Sequence, residues 1–237
     1  MPLTEQEESI RAQALDFARA NKKRIARQLT DPAVFLPEER PVSIFMAGSP
    51  GAGKTEASIE LIRDVGGALL RIDPDELRSE FVAYTGENSW LFQPAVSVLV
   101  ERILDTALRQ KQSYLLDGTL TNYDKARENM LRSLRRDRAV QVLYVYQEPQ
   151  QAWQFVQARE ATEGRRIEPE TFIRQYFEAR QVVNRLKLEF GRAIQVDLLL
   201  KNNDGSHRAY EANIDQIDNH VPEKYDGQAL ATLLGHS

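Results

Sequence analysis

The sequence predicts an α/β fold, a parallel sheet with helices on both faces. Three observations carry that expectation. Short apolar runs alternate with longer segments whose apolar residues recur at helical spacing. A glycine-rich octet, Gly48-Ser-Pro-Gly-Ala-Gly-Lys-Thr55, joins one such run to one such segment. Several helical segments open on a proline (Pro74, Pro94, Pro149 and Pro169), a residue that suits the first turn of a helix and not its interior.

Taken in order, residues 4–29 form the first expected helix, with Ile10, Ala14, Phe17, Ala18 and Ile25 at helical spacing on an arm rich in Lys and Arg. It reads as a helix packed on the main domain or as an autonomous binding arm. Asp31–Pro41 holds three prolines and reads as a linker. Strands are expected at Val42–Ala47, Ala68–Ile72, Tyr114–Leu116, Val140–Tyr146 and Ile194–Leu200, and a short returning strand at His207–Glu211. Helices are expected at Lys54–Asp64, Pro74–Ala83, Pro94–Gln110, Tyr123–Arg136, Pro149–Thr162 and Pro169–Phe190, with turns at Glu163–Glu168 and Asn202–Gly205. Residues 212–237 are polar and weakly patterned. The expected organisation is an N-terminal helical extension and linker over 1–40, a central domain over 41–212, and a C-terminal extension over 213–237 packed on that domain. There is no internal repeat and no low-complexity tract.

Apolar residues make up 42% of the 237 and charged residues 28%, with a formal net charge of −4. That balance fits a single soluble domain with a sizeable core. A mildly acidic chain argues against bulk nucleic-acid binding, which favours a basic surface. The absence of cysteine excludes disulfide scaffolds and thiolate metal sites. Met1–Ser9 is polar and acidic, unlike a signal peptide, and no apolar run approaches the roughly 20 residues a membrane span needs. A cytoplasmic location without membrane contact is therefore expected.

The octet Gly48, Ser49, Pro50, Gly51, Ala52, Gly53, Lys54, Thr55 matches the phosphate-loop (P-loop) pattern in full. Its glycines let successive backbone N–H groups turn toward one anion. The helix beginning near Gly53 adds the positive end of its dipole. Lys54 is expected to reach the β- and γ-phosphates of ATP, and the Thr55 hydroxyl to ligate Mg²⁺. The context agrees, because an apolar strand precedes the loop and a helix follows. No guanine-recognition signature and no motor-type extension accompanies it, which turns the expectation from GTPases and motors toward a kinase with a P-loop NTPase/kinase-like fold.

A kinase also needs a carboxylate that orients the acceptor hydroxyl and takes its proton. Arg71-Ile-Asp-Pro-Asp-Glu-Leu-Arg78 offers Asp73 and Asp75 at the end of the second strand, on the edge where the loop opens. Either residue is equally read as a helix cap or a first-turn acid. Leu115-Leu-Asp-Gly-Thr-Leu120 brings Asp117, Gly118 and Thr119 to the end of the third strand, where Asp117 can serve Mg²⁺ or substrate. Arg159, Arg165 and Arg166 cluster at the turn between two helices, where guanidinium groups on a lid can neutralise a transferring phosphoryl group.

Together the phosphate loop, the IDPDELR segment, LLDGTL and the arginine pair resemble the zeta-toxin family of phosphate-loop kinases, over roughly residues 40–205. The resemblance implies phosphorylation of a hydroxyl on a UDP-activated amino sugar, chiefly UDP-N-acetylglucosamine, with ATP and Mg²⁺. It also implies a small helical antitoxin that covers the nucleotide site, met by the N-terminal helix. By similarity, Asp75 is the catalytic carboxylate, while Asp73, Glu101, Asp117 and Thr119 serve the substrate side. Glu101 stands sixteen residues before Asp117, the spacing the family shows. The family's Glu-Gly-Thr is Asp117-Gly118-Thr119 here, a shorter acid at that point. Arg159 and Arg166 correspond to the two family arginines, Arg166 by its two-residue gap to Pro169, across a shorter intervening loop. Asn202, in Leu200-Lys-Asn-Asn-Asp-Gly205, falls in the late turn that neighbours the adenine. A kinase of another small molecule (an antibiotic or a nucleoside), a catalytically silent ATP-binding interaction protein and a nucleic-acid 5′ kinase are the competing readings.

Overall fold

In a computed structural model, residues 3–164, 166–202, 207–222 and 225–235 are described. A six-stranded sheet has the order β2-β3-β1-β4-β5-β6. Its strands are β1 (Val42–Ala47), β2 (Leu70–Ile72), β3 (Tyr114–Leu116), β4 (Ala139–Tyr146), β5 (Gln195–Lys201) and β6 (His207–Glu211). The first five run parallel, and β6 returns antiparallel beside β5 at the edge. The helices are α1 (Glu5–Leu29), α2 (Lys54–Asp64), α3 (Ser89–Arg109), α4 (Tyr123–Leu134), α5 (Pro149–Glu163), α6 (Pro169–Phe190) and α7 (Gly227–Leu233).

Side chains alternate across each strand, so each strand feeds two cores. Ile44 and Met46 of β1, with Leu143 and Val145 of β4, meet Ala57, Leu61 and Ile62 of α2 on one face. Phe45 and Ala47, with Val142 and Tyr144, face the larger core that α1, α3, α4 and α6 build on the other. Complete burial of a side chain such as Phe45 contributes roughly 1.5–3 kcal/mol. At the amino edge Arg138 is buried beneath these strands. Its guanidinium donates to Ser43 Oγ at 2.8 Å and to the Val42 and Gln112 carbonyls at 2.9 and 2.6 Å.

The N-terminal helix is no free arm. Thr4 and Glu7 form a capping box at its start, and Ala14, Ala18, Ile25 and Ala26 are buried in the larger core, with α1 lying along α3. At the other end of the chain, Asp226 caps α7, which buries Leu230 and packs on α6.

Two expected helices depart from the sequence expectation by more than two residues. Pro74–Ala83 forms no α-helix, only a 3₁₀ turn at Glu76–Glu80. Asp73 Oδ1 accepts from the Asp75 N–H at 2.7 Å, and Arg71 draws in both Asp73 and Glu76, so side chains compete with the helical ladder there. The helix expected from Pro94 begins five residues earlier, at Ser89, with the proline inside it. Leu91 and Phe92 are buried at 2% and 1% exposure, and that burial draws the preceding turn into the helix. The proline forfeits one hydrogen bond near the helix start.

Because Ala18 is fully enclosed between α1 and α3, Ala18→Asp should lower urea-unfolding stability by about 3 kcal/mol. An unchanged midpoint would mean that α1 is not part of the cooperative core.

Candidate active site

Parallel strands deliver their carboxyl ends to one edge of the sheet, where ligands of such folds bind. The loop after β1 turns at Gly48, Gly51 and Gly53, whose φ angles are +136°, +71° and +83°. Two of these positions are closed to any side chain. A β-carbon on Gly48 would overlap the Val145 carbonyl of β4, and one on Gly51 would overlap the Ala152 carbonyl of α5. Ser49 and Ala52 are buried in the loop, and Pro50 sits at its turn. Gly53 is the N-cap of α2 and supplies no side-chain cap, so the first-turn N–H groups of α2 stay open to an anion. Lys54 Nζ donates to the Gly48 and Ser49 carbonyls at 3.0 and 2.6 Å, across the mouth of the loop. Thr55 follows in the first turn of α2, half-buried.

The acidic half of the site is built on Arg71, from β2. Its Nη2 meets Asp73 Oδ2 at 2.5 Å and Asp117 Oδ2 at 2.7 Å, its Nη1 meets Glu76 at 2.5 Å, and its Nε donates to Ser58 Oγ at 2.9 Å. Burial works against the charge of Arg71, yet the hydrogen bond it donates to Asp117, the charge of Asp73 and the hydrogen bond to Glu76 hold its pKa above the ordinary value. Burial raises the Asp73 pKa above the usual carboxylate value, and the charges of Asp117 and Asp75 add to that. Asp117 is 5% exposed. Its N–H bonds the Ile72 carbonyl at 2.9 Å, and Ser58 Oγ lies 3.2 Å from Oδ2 while donating to the Thr55 carbonyl at 2.8 Å. The end of β3 is thereby tied to the first turn of α2, where Thr55 stands. Gly48 N–H reaches the Thr119 carbonyl at 3.4 Å, so Thr119 borders the loop entrance.

The remaining candidates occupy the rim. Asp75 has a partly exposed side chain paired with the buried Arg78, whose other arm donates to Gln93 at 3.2 Å. Glu101 lies on the exposed side of α3 and makes no hydrogen bond or ion pair with a described residue. Arg159 is exposed on α5, at helical phase with Ala152 and Val156, the residues that press on Gly51. Arg166 is also exposed, held by Glu168 at 3.1 Å and Glu160 at 3.9 Å. Arg165 and the 203–206 part of the turn expected after β5 lie outside the described residues. Asn202 is half-buried just past β5, its carbonyl accepting from Gln147 Nε2 at 3.0 Å.

Sequence reasoning missed Arg71 and Ser58. The signal for Arg71 was its place two residues before Asp73, on the same face of a strand. For Ser58 it was the one-turn spacing from Lys54 and Thr55.

Comparison with solved structures extends this geometry. A chain from the PezAT chromosomal toxin–antitoxin system of Streptococcus pneumoniae is similar at 16% identity and a TM-score of 0.63, over 100% of this chain and 90% of that one. A chain of the AvrRxo1-ORF1:AvrRxo1-ORF2 structure with sulphate ions is similar at 17% identity and a TM-score of 0.60, over 91% and 72%. A chain of the AvrRxo1-ORF1:-ORF2 structure with ATP follows at 15% identity and 0.56, over 88% and 67%. At these identities the likeness establishes a shared fold. None of the curated proteins compared with the chain matches it. A family model described as Zeta toxin matches residues 25–215, well over half of the chain, and the chain therefore belongs to the zeta toxin family.

Proposed function

We propose that this chain is an ATP- and Mg²⁺-dependent small-molecule kinase that phosphorylates a hydroxyl of a UDP-amino sugar of the UDP-N-acetylglucosamine type. The observation that carries the kinase reading is a juxtaposition on one sheet edge. An uncapped phosphate cradle with Lys54 across its mouth stands beside an ion-paired set of carboxylates. The sugar-nucleotide acceptor rests on membership of the zeta toxin family and on the ordered motifs.

In this reading the loop amides and Lys54 hold the β- and γ-phosphates of ATP. Thr55 and Asp117 fit the hard oxygen ligation that Mg²⁺ favours, since Asp117 Oδ1 takes no hydrogen bond from a described residue. Bound there, Mg²⁺ supplies neutralisation of the phosphate oxygens. Asp75, steered by Arg78, orients the acceptor hydroxyl. It takes the proton as that oxygen bonds to the γ-phosphorus and the bond to ADP breaks. Asp73, Glu101 and Thr119 line the acceptor side. Arg159 and Arg166, carried at the end of α5 and the following turn, move onto the transferring group and exclude water. Asn202 borders the adenine. A small helical antitoxin belongs to the same proposal, supported by the toxin–antitoxin system from which one neighbour comes.

One observation favours a second acceptor class, such as an antibiotic or a nucleoside. Asp117 is shorter than the family's Glu and is drawn back onto Arg71 and Ser58, which leaves a differently shaped acceptor side.

Incubation with Mg·ATP and a panel of UDP-sugars should give ADP release that depends on one of them. Release with none of them, but with another metabolite, would establish the second reading. Asp75→Asn should lower kcat by about 10²–10⁴-fold with little change in the KM for ATP, and full turnover would remove Asp75 as the base. Arg71→Met leaves Asp73 and Asp117 facing each other and should cost about 3 kcal/mol of stability at neutral pH, part of it restored by adding Asp117→Asn. Equal stability of wild type and Arg71→Met would remove the guanidinium from its central place.

A further inference from the structure

Lys201 is the last residue of β5, and no role so far involves its side chain. It is 9% exposed, although lysine is almost never buried without a partner. Its Cε stands 3.3 Å from the point a β-carbon on Gly53 would occupy, so the side chain lies against the last glycine of the phosphate loop. It makes no hydrogen bond or ion pair with a described residue. The Glu56 carboxylate has Oε2 3.7 Å from the same point, yet it is exposed and forms no ion pair with Lys201.

The stem of Lys201 is buried while its ammonium keeps access to solvent, so the charge stays open to a ligand. Such a group beside the uncapped start of α2 meets a second feature that attracts anions. The loop is therefore bracketed by two ammonium groups. Lys54 lies on the carbonyls of Gly48 and Ser49 at one end, and Lys201 lies at Gly53 at the other. A single phosphate engages one of them, whereas a chain of phosphates engages both. The ends are distinguishable, because the Gly48 N–H meets the Thr119 carbonyl, while Gly53 meets the Lys201 side chain.

We propose that Lys201 is a second phosphate-binding cation, gripping the phosphates that stay with the nucleoside. This rests on the reading of Gly48–Thr55 as a nucleotide site. Lys201 then contributes to ADP binding as much as to ATP binding, and helps to set how fast ADP leaves.

The test titrates a fluorescent ADP analogue (methylanthraniloyl-ADP) into the full-length chain and its Lys201→Met and Lys201→Arg variants, with ATP as competitor. Thermal unfolding is recorded with and without ADP. Lys201→Met should weaken ADP and ATP by about tenfold each, and Lys201→Arg should keep most of the affinity. Without ligand, Lys201→Met should melt no lower than wild type, because methionine suits a buried site, while the rise in Tm on adding ADP should shrink. Lys201→Met binding ADP within twofold of wild type would overturn the proposal. A lowered ligand-free Tm with an undiminished ADP-induced rise would overturn it too, and would make Lys201 structural. Should Lys201→Met not fold, Lys201→Gln carries the same measurements. If the wild type binds neither nucleotide, the reading of the loop fails, and the proposal with it.

Discussion

The guanidinium of Arg71 is the charge on which the acidic half of the site depends. Parallel register brings Asp73 and Asp117 to adjacent strand ends, and both carboxylates lie on the same Nη2 atom. Two unit charges about 4–5 Å apart repel by roughly 3–4 kcal/mol at an effective dielectric of about 20. The cation between them turns that repulsion into a network. Through Ser58 the same network reaches α2, so one side chain positions the ends of two strands against the helix that begins at the phosphate loop.

Much of the fold was legible because its signals are local. β1, α2, β3 and α6 have the bounds that apolar runs and helix-start prolines suggest. The phosphate loop was legible for the same reason, since eight consecutive residues carry its pattern. The misread boundaries share a different cause. Around Pro74 and Pro94 the helix-start rule was overridden by other contacts, namely the side-chain bonds of Arg71 and Asp73 in one case and the burial of Leu91 and Phe92 in the other. The Arg71 cluster was illegible because its members come from three separate points in the chain, Ser58, the 71–76 segment and Asp117, which only the fold unites.

The two edges of the sheet divide the labour. At the amino edge Arg138 donates from Nε and Nη2 to main-chain and serine oxygens, a buried arrangement that steadies strand ends. At the carboxyl edge, carboxylates share one guanidinium, glycines adopt left-handed angles and a helix start is left uncapped. Each of these is tolerable in isolation and costs stability in sum. Natural sites often carry such conflicts, because the groups that best serve a ligand are those the fold alone would not choose.

The contact between Gly51 and Ala152 joins two parts of the molecule that chemistry would treat separately. Backbone rests on backbone there, with the Val156 side chain alongside. Whatever shifts the phosphate loop must shift α5, and with it Arg159 a further two turns along the helix. Linkage makes such a coupling reciprocal: a ligand that moves α5 alters the loop's affinity for phosphate by the same free energy with which phosphate alters its own. The absent side chain of one glycine thus makes the loop and the arginine helix a single mechanical part, and the two respond to their ligands as one.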